Sequence, residues 1–211
     1  MEARICLIDD DESIRDSLEA LFRSRRLRVS VYADPVRFLS IWKTSELREV
    51  PATLVLDVRM PVMSGLEVFQ QMRSHGLPAH NEVLFLTGHG DIPLAVEAIK
   101  NGAMDFLEKP FSDNSLVDRV IVSMRRVEAV FAESSRLVAL REQLSSREQQ
   151  IAELIVNGST NREIAEKLAI SVRTVEVHRA HIFDKLNAKN AIDLVTIFRV
   201  DASARDLTRR L

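Results

Sequence analysis

Acidic and basic residues follow several of the short apolar runs in the first half of the chain. Asp9 and Asp10 follow the first run, Asp57 follows the third, and Thr87 and Lys109 come after the fourth and fifth. Carboxylates that lie close together repel one another unless a cation balances their charge. Mg²⁺ prefers oxygen ligands of this kind, and a metal-bound carboxylate that faces an ammonium group can accept a phosphoryl group.

The elements that would bring these residues together alternate between strands and helices over residues 1–123. Apolar runs such as Ile5–Ile8 and Val83–Leu86 predict buried strands, whereas Ser13–Arg25 has apolar residues at helical spacing. Five strand-then-helix units predict an α/β, flavodoxin-like, doubly wound fold with a parallel sheet of order 2-1-3-4-5. Ligands of such sheets bind beyond the carboxyl ends of the strands, so we expect the polar residues to meet at that edge.

The motifs that carry these residues resemble those of two-component receiver domains. The motifs are Ile8-Asp-Asp-Asp11, Leu56-Asp-Val-Arg-Met-Pro61, Leu86-Thr-Gly-His-Gly-Asp-Ile-Pro93 and Glu108-Lys-Pro-Phe111. They occur in order along the chain, and the resemblance covers residues 1–123. We therefore expect a receiver domain over 1–123.

The resemblance implies a role for each residue at the predicted sheet edge. Asp57 would accept a phosphoryl group from a sensor histidine kinase, and Lys109 would pair with that group. Asp10, Asp57 and the backbone carbonyl of Arg59 would contact Mg²⁺ (or Mn²⁺) directly, with Asp9 bound through water. The receiver would assist its own phosphoryl transfer and autodephosphorylation and would catalyse no other reaction.

The same resemblance implies a conformational switch beside the phosphoacceptor. Thr87 and Phe106 would form the switch pair, and the Lys109–Pro110 bond would be cis, which only X-Pro bonds permit cheaply. Phe106 stands where many relatives have Tyr, so this chain lacks the hydroxyl for a hydrogen-bonded switch. Arg59 and His89 flank the site, and we expect them to tune the lifetime of the phosphoryl group.

Residues 124–144 are rich in Arg, Glu, Val and Leu and contain no Gly or Pro. They predict a helical linker that continues the fifth helix of the receiver. Val120, Met124, Val127 and Phe131 keep three-four spacing, as do Leu137, Leu140 and Leu144. Two interpretations stay open, a coiled-coil dimer stem and a single helix that packs on the receiver or is solvated.

Residues 145–211 show no strand pattern and predict a small all-α domain of four helices. Ser146-x-x-Gln149 and Thr160-x-x-Glu163 read as capping boxes, Gly158 ends the first of these helices, and Ser171 caps the third. Residues 201–211 either fray or extend the last helix. The predicted helices are Arg147–Val156, Asn161–Leu168, Val172–Leu186 and Ala191–Phe198.

The second and third of these helices have the spacing of a helix-turn-helix. At about 100° per residue, Val175, Ile182 and Leu186 define the buried side of the third helix. Side chains on its opposite side can reach base edges in the major groove. We predict base contacts from Arg173, Glu176, Val177, Ala180 and His181, and phosphate contacts from Thr174, Arg179 and Lys185.

The motifs of this region resemble a LuxR-like helix-turn-helix. They are Leu144-Ser-Ser-Arg-Glu148, Asn161-Arg-Glu-Ile-Ala165 and Thr174-Val-Glu-Val-His-Arg179. With the receiver motifs they resemble the FixJ-like branch of the NarL/FixJ response regulators. That resemblance implies a homodimer on phosphorylation, double-stranded promoter DNA and RNA polymerase as partners, and transcriptional activation.

Two residues of this region depart from the family pattern. Ala169 occupies a turn position where Gly is common, and a positive φ there would cost about 1 kcal/mol. Glu176 stands where other branches carry Lys, which lowers the cationic share of DNA affinity.

Charge and composition agree with an acidic module joined to a nucleic-acid module. The chain has a net charge of −2, with +2 from Ser146 onward and −4 before it. Cys6 is the only cysteine, so the chain has no internal disulfide and no cysteine-based zinc site. The sequence contains no stretch that would span a membrane and no Gly-rich nucleotide loop, and we expect a cytoplasmic protein.

Two other functional classes fit part of the pattern. The C-terminal helices could bind protein instead of DNA, which would make the chain a phosphorelay or interaction protein. A phosphatase of the haloacid dehalogenase type also uses an Asp at a strand end, but it needs a second Asp two positions later, where this chain has Arg59.

Overall fold

The computed structural model describes residues 2–44, 46–88 and 92–199. The chain divides into two compact units, residues 1–132 and 133–211, and we describe each by itself. No helix within the described ranges is long and apolar enough to cross a membrane. The predictions for His89 and for residues 201–211 fall outside the described residues.

The first unit contains a five-stranded parallel sheet in the order β2-β1-β3-β4-β5, which confirms the predicted fold. The central strand β3 is buried along its whole length, because helices cover both faces of the sheet. The strands are Arg4–Ile8 (β1), Val29–Tyr32 (β2), Ala52–Asp57 (β3), Asn81–Thr87 (β4) and Asp105–Glu108 (β5).

Helices follow each strand of this sheet, as the pattern predicted. A short 3₁₀ turn at Glu46–Glu49, which the sequence analysis did not predict, lies between the second helix and β3. The helices are Glu12–Ser24 (α1), Pro35–Thr44 (α2), Gly65–Ser74 (α3), Ile92–Lys100 (α4) and Asp113–Glu142 (α5).

Alternate residues of each strand face two separate apolar cores. Ile5 and Leu7 of β1 belong to the core that contains Phe22 of α1 and the apolar residues of α5 up to Val120. The intervening residues of β1 belong to the core that contains the apolar side chains of α2 and α3, including Trp42. This alternation fixes the register of the sheet and therefore the positions of the residues at its carboxyl edge.

Helix α5 includes residues 124–142 of the stretch predicted as a helical linker over 124–144, and it contributes residues to both units. Leu137 and Leu144 are buried in the core of the second unit, with Leu140 packed against it. In the first unit, the rings of Phe131 and His80 meet edge to face at 5.2 Å. Because Leu137, Leu140 and Leu144 pack within their own unit, they are not available as a coiled-coil seam, which favours the single-helix interpretation.

The second unit is built from helices at the predicted positions. Helix α8 buries Val175 and Ile182, and Leu186 directly after it is also buried, as the helical geometry predicted. The helices are Ser146–Val156 (α6), Asn161–Leu168 (α7), Val172–Lys185 (α8) and Ala191–Arg199 (α9).

The helix caps of the second unit match the predictions at every position but one. Thr160 and Glu163 form the predicted capping box of α7, Gly158 follows the end of α6 with φ of 81°, and Ser171 caps α8. The box predicted from Ser146 and Gln149 was wrong by one residue. Ser145 caps α6 and Glu148 completes the box, because Leu144 is drawn into the core and sets where the helix begins.

Candidate functional site

Three side chains from the ends of β1, β3 and β5 meet at the carboxyl edge of the sheet. The Nζ of Lys109 lies 2.7 Å from Oδ1 of Asp57 and 3.1 Å from Oδ2 of Asp9. Asp9 is 1% exposed and Asp57 is 7% exposed, so a single ammonium faces two carboxylates that are removed from water and offsets only part of their charge. The structure therefore brings together these three of the predicted site residues.

Backbone amides hold the second oxygen of each carboxylate. The amide of Arg59 donates to Oδ2 of Asp57 at 2.7 Å, and the amide of Asp11 donates to Oδ1 of Asp9 at 2.9 Å. Each carboxylate is thus fixed between a backbone donor and Lys109, which sets its orientation.

Burial and charge act in opposite directions on these groups. Burial raises the pKa of Asp57, and the hydrogen bond from Lys109 offsets only part of that rise. Burial by itself would lower the pKa of Lys109, but the two carboxylates outweigh it and raise that pKa. Lys109 therefore stays a cation, and ionised Asp57 remains in a poorly solvated position.

Thr87 brings a buried hydroxyl to the same edge. Its Oγ1 is inaccessible to solvent and has no hydrogen-bond partner within the described residues. The backbone amide of Lys109 donates to the carbonyl of Thr87 at 2.7 Å, so the two residues are held side by side. A buried hydroxyl that lacks a partner is costly, which indicates a ligand atom that would accept its hydrogen bond.

The backbone around the site also matches expectation. The Lys109–Pro110 peptide bond is cis, as the resemblance implied. Phe106 is half-buried, packs against the core that contains Trp42, and pairs with Phe85 across β4 and β5. The switch role of Thr87 and Phe106 stays a prediction.

Gly65, the first residue of α3, lies against the backbone of Asp57. A Cβ at Gly65 would lie 2.2 Å from the carbonyl oxygen of Asp57, and the Gly65 amide donates to the carbonyl of Val58 at 3.1 Å. The absence of a side chain at this position allows α3 to begin in contact with the strand that carries Asp57. The sequence analysis did not single out this glycine.

The structure does not show the expected cluster of Asp9, Asp10 and Asp57, and the role of Asp10 as a cation ligand stays a prediction. Within the described ranges, no three acidic, histidine or cysteine side chains lie close enough to hold a metal ion. Asp10 is exposed, and Lys109 takes the place of a counter-ion between Asp9 and Asp57. Two buried carboxylates with oxygen donors nearby still suit Mg²⁺, which commonly takes one or two carboxylates and completes its shell with water.

The recognition helix α8 exposes most of the side chains predicted to contact DNA. Arg179, by contrast, is half-buried, with its guanidinium 5.7 Å from the centre of the Phe183 ring. The exposed side chains are Arg173, Thr174, Glu176, Val177, Ala180, His181 and Lys185.

Two predicted phosphate contacts have intramolecular partners in the structure. The Nζ of Lys185 lies 2.7 Å from Oε2 of Glu148, whose side chain is 5% exposed. The hydroxyls of Thr174 and Ser171 lie 2.8 Å apart at the start of α8. The pair of Glu148 with Lys185 was not predicted, because the two residues lie 37 positions apart and no local pattern links them.

Comparisons with known proteins cover both units. Residues 5–121 match the family described as "Response regulator receiver domain", and residues 142–198 match "Bacterial regulatory proteins, luxR family". The chain is a response regulator of the NarL/FixJ family. Receiver domains of this class generally bind Mg²⁺ at the phosphorylation site.

Relatives of this response regulator match it along nearly the whole chain. The C4-dicarboxylate transport transcriptional regulatory protein DctR of Rhodobacter capsulatus is 40% identical over 92% of this chain and 98% of its own. The transcriptional regulatory protein FixJ of Azorhizobium caulinodans is 42% identical over 90% of this chain and 88% of its own.

Solved structures of response regulators agree with the fold. StyR is 37% identical with a TM-score of 0.61, and the match covers 93% of this chain and 98% of StyR. Full-length FixJ from B. japonicum is 37% identical with a TM-score of 0.56, and the match covers 97% of this chain and 98% of that FixJ chain.

Proposed function

We propose that this response regulator is a two-component transcription regulator whose binding to promoter DNA depends on phosphorylation of Asp57. The observation that carries the proposal is the contact of Lys109 with buried Asp57 beside the Thr87 hydroxyl, which has no hydrogen-bond partner among the residues that the structure describes. The match of residues 142–198 to the luxR family supports DNA as the second partner. The chain would catalyse nothing beyond its own phosphoryl transfer and autodephosphorylation, and it would work in the cytoplasm, where promoter DNA is found.

The phosphoryl donor would be the phosphohistidine of a sensor histidine kinase. An oxygen of Asp57 attacks the phosphorus, the P–N bond breaks, and the electron pair leaves with the imidazole of the kinase. Lys109 balances the charge of the phosphoryl oxygens, and the hydroxyl of Thr87 donates to one of them.

A divalent cation, Mg²⁺ or Mn²⁺, would neutralise phosphoryl charge at this edge of the sheet when bound. The oxygen donors that suit it are Asp10, Asp57 and the backbone carbonyl of Arg59, with Asp9 bound through water. The raised pKa of Asp57 agrees with a carboxylate that needs a further positive charge when it is ionised.

Phosphorylation would change which conformation the segment around Thr87 favours, and through it the surface of α4 and β5. A phosphoryl group adds roughly −1.5 to −2 charges, and a two-state shift needs a few kcal/mol of differential stabilisation. We propose that the changed surface forms a homodimer. Two copies on half-sites about 34–36 Å apart would bind together more tightly than one weakly cationic domain.

We further propose that the DNA-bound dimer activates transcription through RNA polymerase, in keeping with its FixJ-like resemblance. The base contacts would come from Arg173, Glu176, Val177, Ala180 and His181 on α8. Thr174, Arg179 and Lys185 remain candidates for phosphate contacts, although each has a partner within its own domain.

Selection of binding sites from genomic DNA tests this function directly. The full chain is incubated with acetyl phosphate and Mg²⁺, and the bound fragments are sequenced, with untreated protein in parallel. We expect an inverted or direct repeat of half-sites that the phosphorylated protein enriches. An absence of selectivity in both samples would favour the alternative, a C-terminal bundle that binds protein.

A further inference from the structure

Arg15 contacts the loop that carries the proposed cation ligands. It lies in the first turn of α1, and its Nη1 donates to the carbonyl of Asp9 at 2.9 Å and to the carbonyl of Asp10 at 2.7 Å. These contacts use the backbone of the two aspartates and do not involve their carboxylates. The sequence analysis did not identify this arginine, since its partners are backbone atoms.

Other contacts hold the same loop. The amide of Asp11 donates to the carboxylate of Asp9, and the carboxylate of Asp11 accepts from the amides of Ser13 and Ile14 at the start of α1. Arg15 completes this arrangement, because its guanidinium donates to the carbonyl of Asp10, which the other contacts of the loop do not hold.

We propose that Arg15 is a positioning residue for the divalent cation site, an inference that rests on the proposed function. With the loop backbone fixed at both carbonyls, the exposed carboxylate of Asp10 can reach a cation by rotation of its side chain alone. A fixed loop loses little conformational freedom when the cation binds, so the affinity is higher than that of a mobile loop.

The positive charge of Arg15 acts against this effect, since it repels a cation. Solvent screens that repulsion at a half-buried position, whereas loss of the loop contacts acts directly on the ligands. Arg23, on the same helix, provides a matched control. Its side chain is 69% exposed and pairs with Glu19 at 2.6 Å, away from the loop.

The test compares cation affinity in three full-length proteins: the wild type, Arg15→Met and Arg23→Met. Mn²⁺ is titrated and its unbound fraction is read from the electron paramagnetic resonance signal, with Mg²⁺ as competitor. We expect Arg15→Met to weaken binding at least about tenfold, as loss of contacts to metal ligands commonly does. We expect Arg23→Met to match the wild type.

A second readout separates positioning from chemistry. The rate of labelling by acetyl phosphate is measured against Mg²⁺ concentration, and Arg15→Met should need about tenfold more Mg²⁺ for half-maximal rate yet reach a similar plateau. If Arg15→Met does not fold, Arg15→Gln takes its place with the same expectation.

The possible outcomes separate this inference from the proposed function. Equal or tighter cation binding by the Arg15 variant would overturn the positioning role. An equal loss in the Arg23 variant would also overturn it, because the loss would then not depend on the contacts of Arg15 with the loop. Failure of the wild type to bind either cation would instead overturn the cation site of the proposed function.

Discussion

Lys185 and Glu148 form an ion pair that holds the last turn of α8 to the first turn of α6. The Nζ of Lys185 lies 2.7 Å from Oε2 of Glu148, which also accepts from the amide and hydroxyl of Ser145. One carboxylate oxygen thus serves both a helix cap and the recognition helix. The orientation of α8 therefore depends on a residue that is buried beneath it.

Replacement of Glu148 by Gln is expected to destabilise the second unit by about 1–3 kcal/mol, because it removes charge-assisted hydrogen bonds from a buried position. The chain has one Trp and one Tyr, Trp42 and Tyr32, and both lie in the first unit. Trp fluorescence therefore reports unfolding of the first unit alone, whereas far-ultraviolet circular dichroism reports both. In urea, the variant should lower the urea concentration at the midpoint of the circular dichroism transition. The midpoint of the fluorescence transition should stay the same.

Glu163 provides the control for this substitution. It occupies the same capping-box position in α7 and is exposed. Glu163→Gln should shift the circular dichroism transition less than Glu148→Gln does. Equal shifts would mean that the capping box, and not the pair with Lys185, provides the stability.

The pH dependence of the second unit follows from the same pair. The hydrogen bond from Lys185 lowers the pKa of Glu148 from 4.5 to about 2. A lowered pKa in the folded state means that the stabilisation is complete above pH 4.5 and is lost as the pH falls from 4.5 towards 2. Urea titrations between pH 6 and 3, again followed by circular dichroism, should show this decline in the wild type and a weaker one in Glu148→Gln.

Ala169 has a left-handed backbone at the turn of the helix-turn-helix, with φ of 52°. Glycine tolerates this conformation and alanine does so at a cost, so Ala169→Gly is expected to stabilise the second unit by about 1 kcal/mol. Ala180→Gly, within α8, should destabilise it by about as much. Urea denaturation measures the free energy of unfolding of both variants. Destabilisation by Ala169→Gly would show that the left-handed backbone at residue 169 costs alanine nothing.

Asp57→Asn is expected to have opposite effects on chemistry and on stability. Labelling by acetyl phosphate should disappear, because the variant lacks the proposed phosphoacceptor. Burial raises the pKa of Asp57 above its ordinary value of 3.8, so its ionisation costs stability as the pH rises above 3.8, and the whole cost is present at neutral pH. At neutral pH the variant should therefore unfold at a higher urea concentration than the wild type, as followed by the fluorescence of Trp42. Stoichiometric labelling of the variant would show that another residue accepts the phosphoryl group.

His181 and Lys185 should differ in how they contribute to DNA binding. His181→Ala is expected to change the selected base at one position, worth about 1–3 kcal/mol of discrimination, whereas Lys185→Ala should weaken all sequences alike. Binding-site selection followed by sequencing checks both. If Lys185 contacts a phosphate, its variant also lowers the slope of log affinity against log salt concentration by about one. If Lys185 acts only through Glu148, that slope is unchanged.

Hydrophobic periodicity was sufficient to predict the fold, because both cores are built from regular alternation. Ile5 and Leu7 face one core while Cys6 and Ile8 face the other, and strand order follows from five strand-then-helix units. Strand-end positions likewise predicted that Asp57 and Lys109 would meet. The chemistry of the site was therefore accessible from local sequence and general rules of parallel sheets.

Contacts to backbone atoms and between distant residues were not accessible in this way. Arg15 binds carbonyl groups, which every residue possesses, and the partner of Lys185 lies 37 positions earlier in the chain. The predicted three-carboxylate cluster does not form among the described residues, for a related reason. Residue types indicated that Asp10 would join the cluster, but its exposed side-chain position depends on a rotamer that sequence does not specify.

The contact between Gly65 and the backbone of Asp57 limits how this protein can evolve. Any substitution at residue 65 adds a carbon that must displace either the start of α3 or the strand that carries Asp57, the proposed phosphoacceptor, so a packing change would become a signalling change. Selection on communication with a kinase would therefore remove variants at a position that no kinase needs to touch. Such a residue would look functionally essential in a mutational screen although it performs no chemistry of its own.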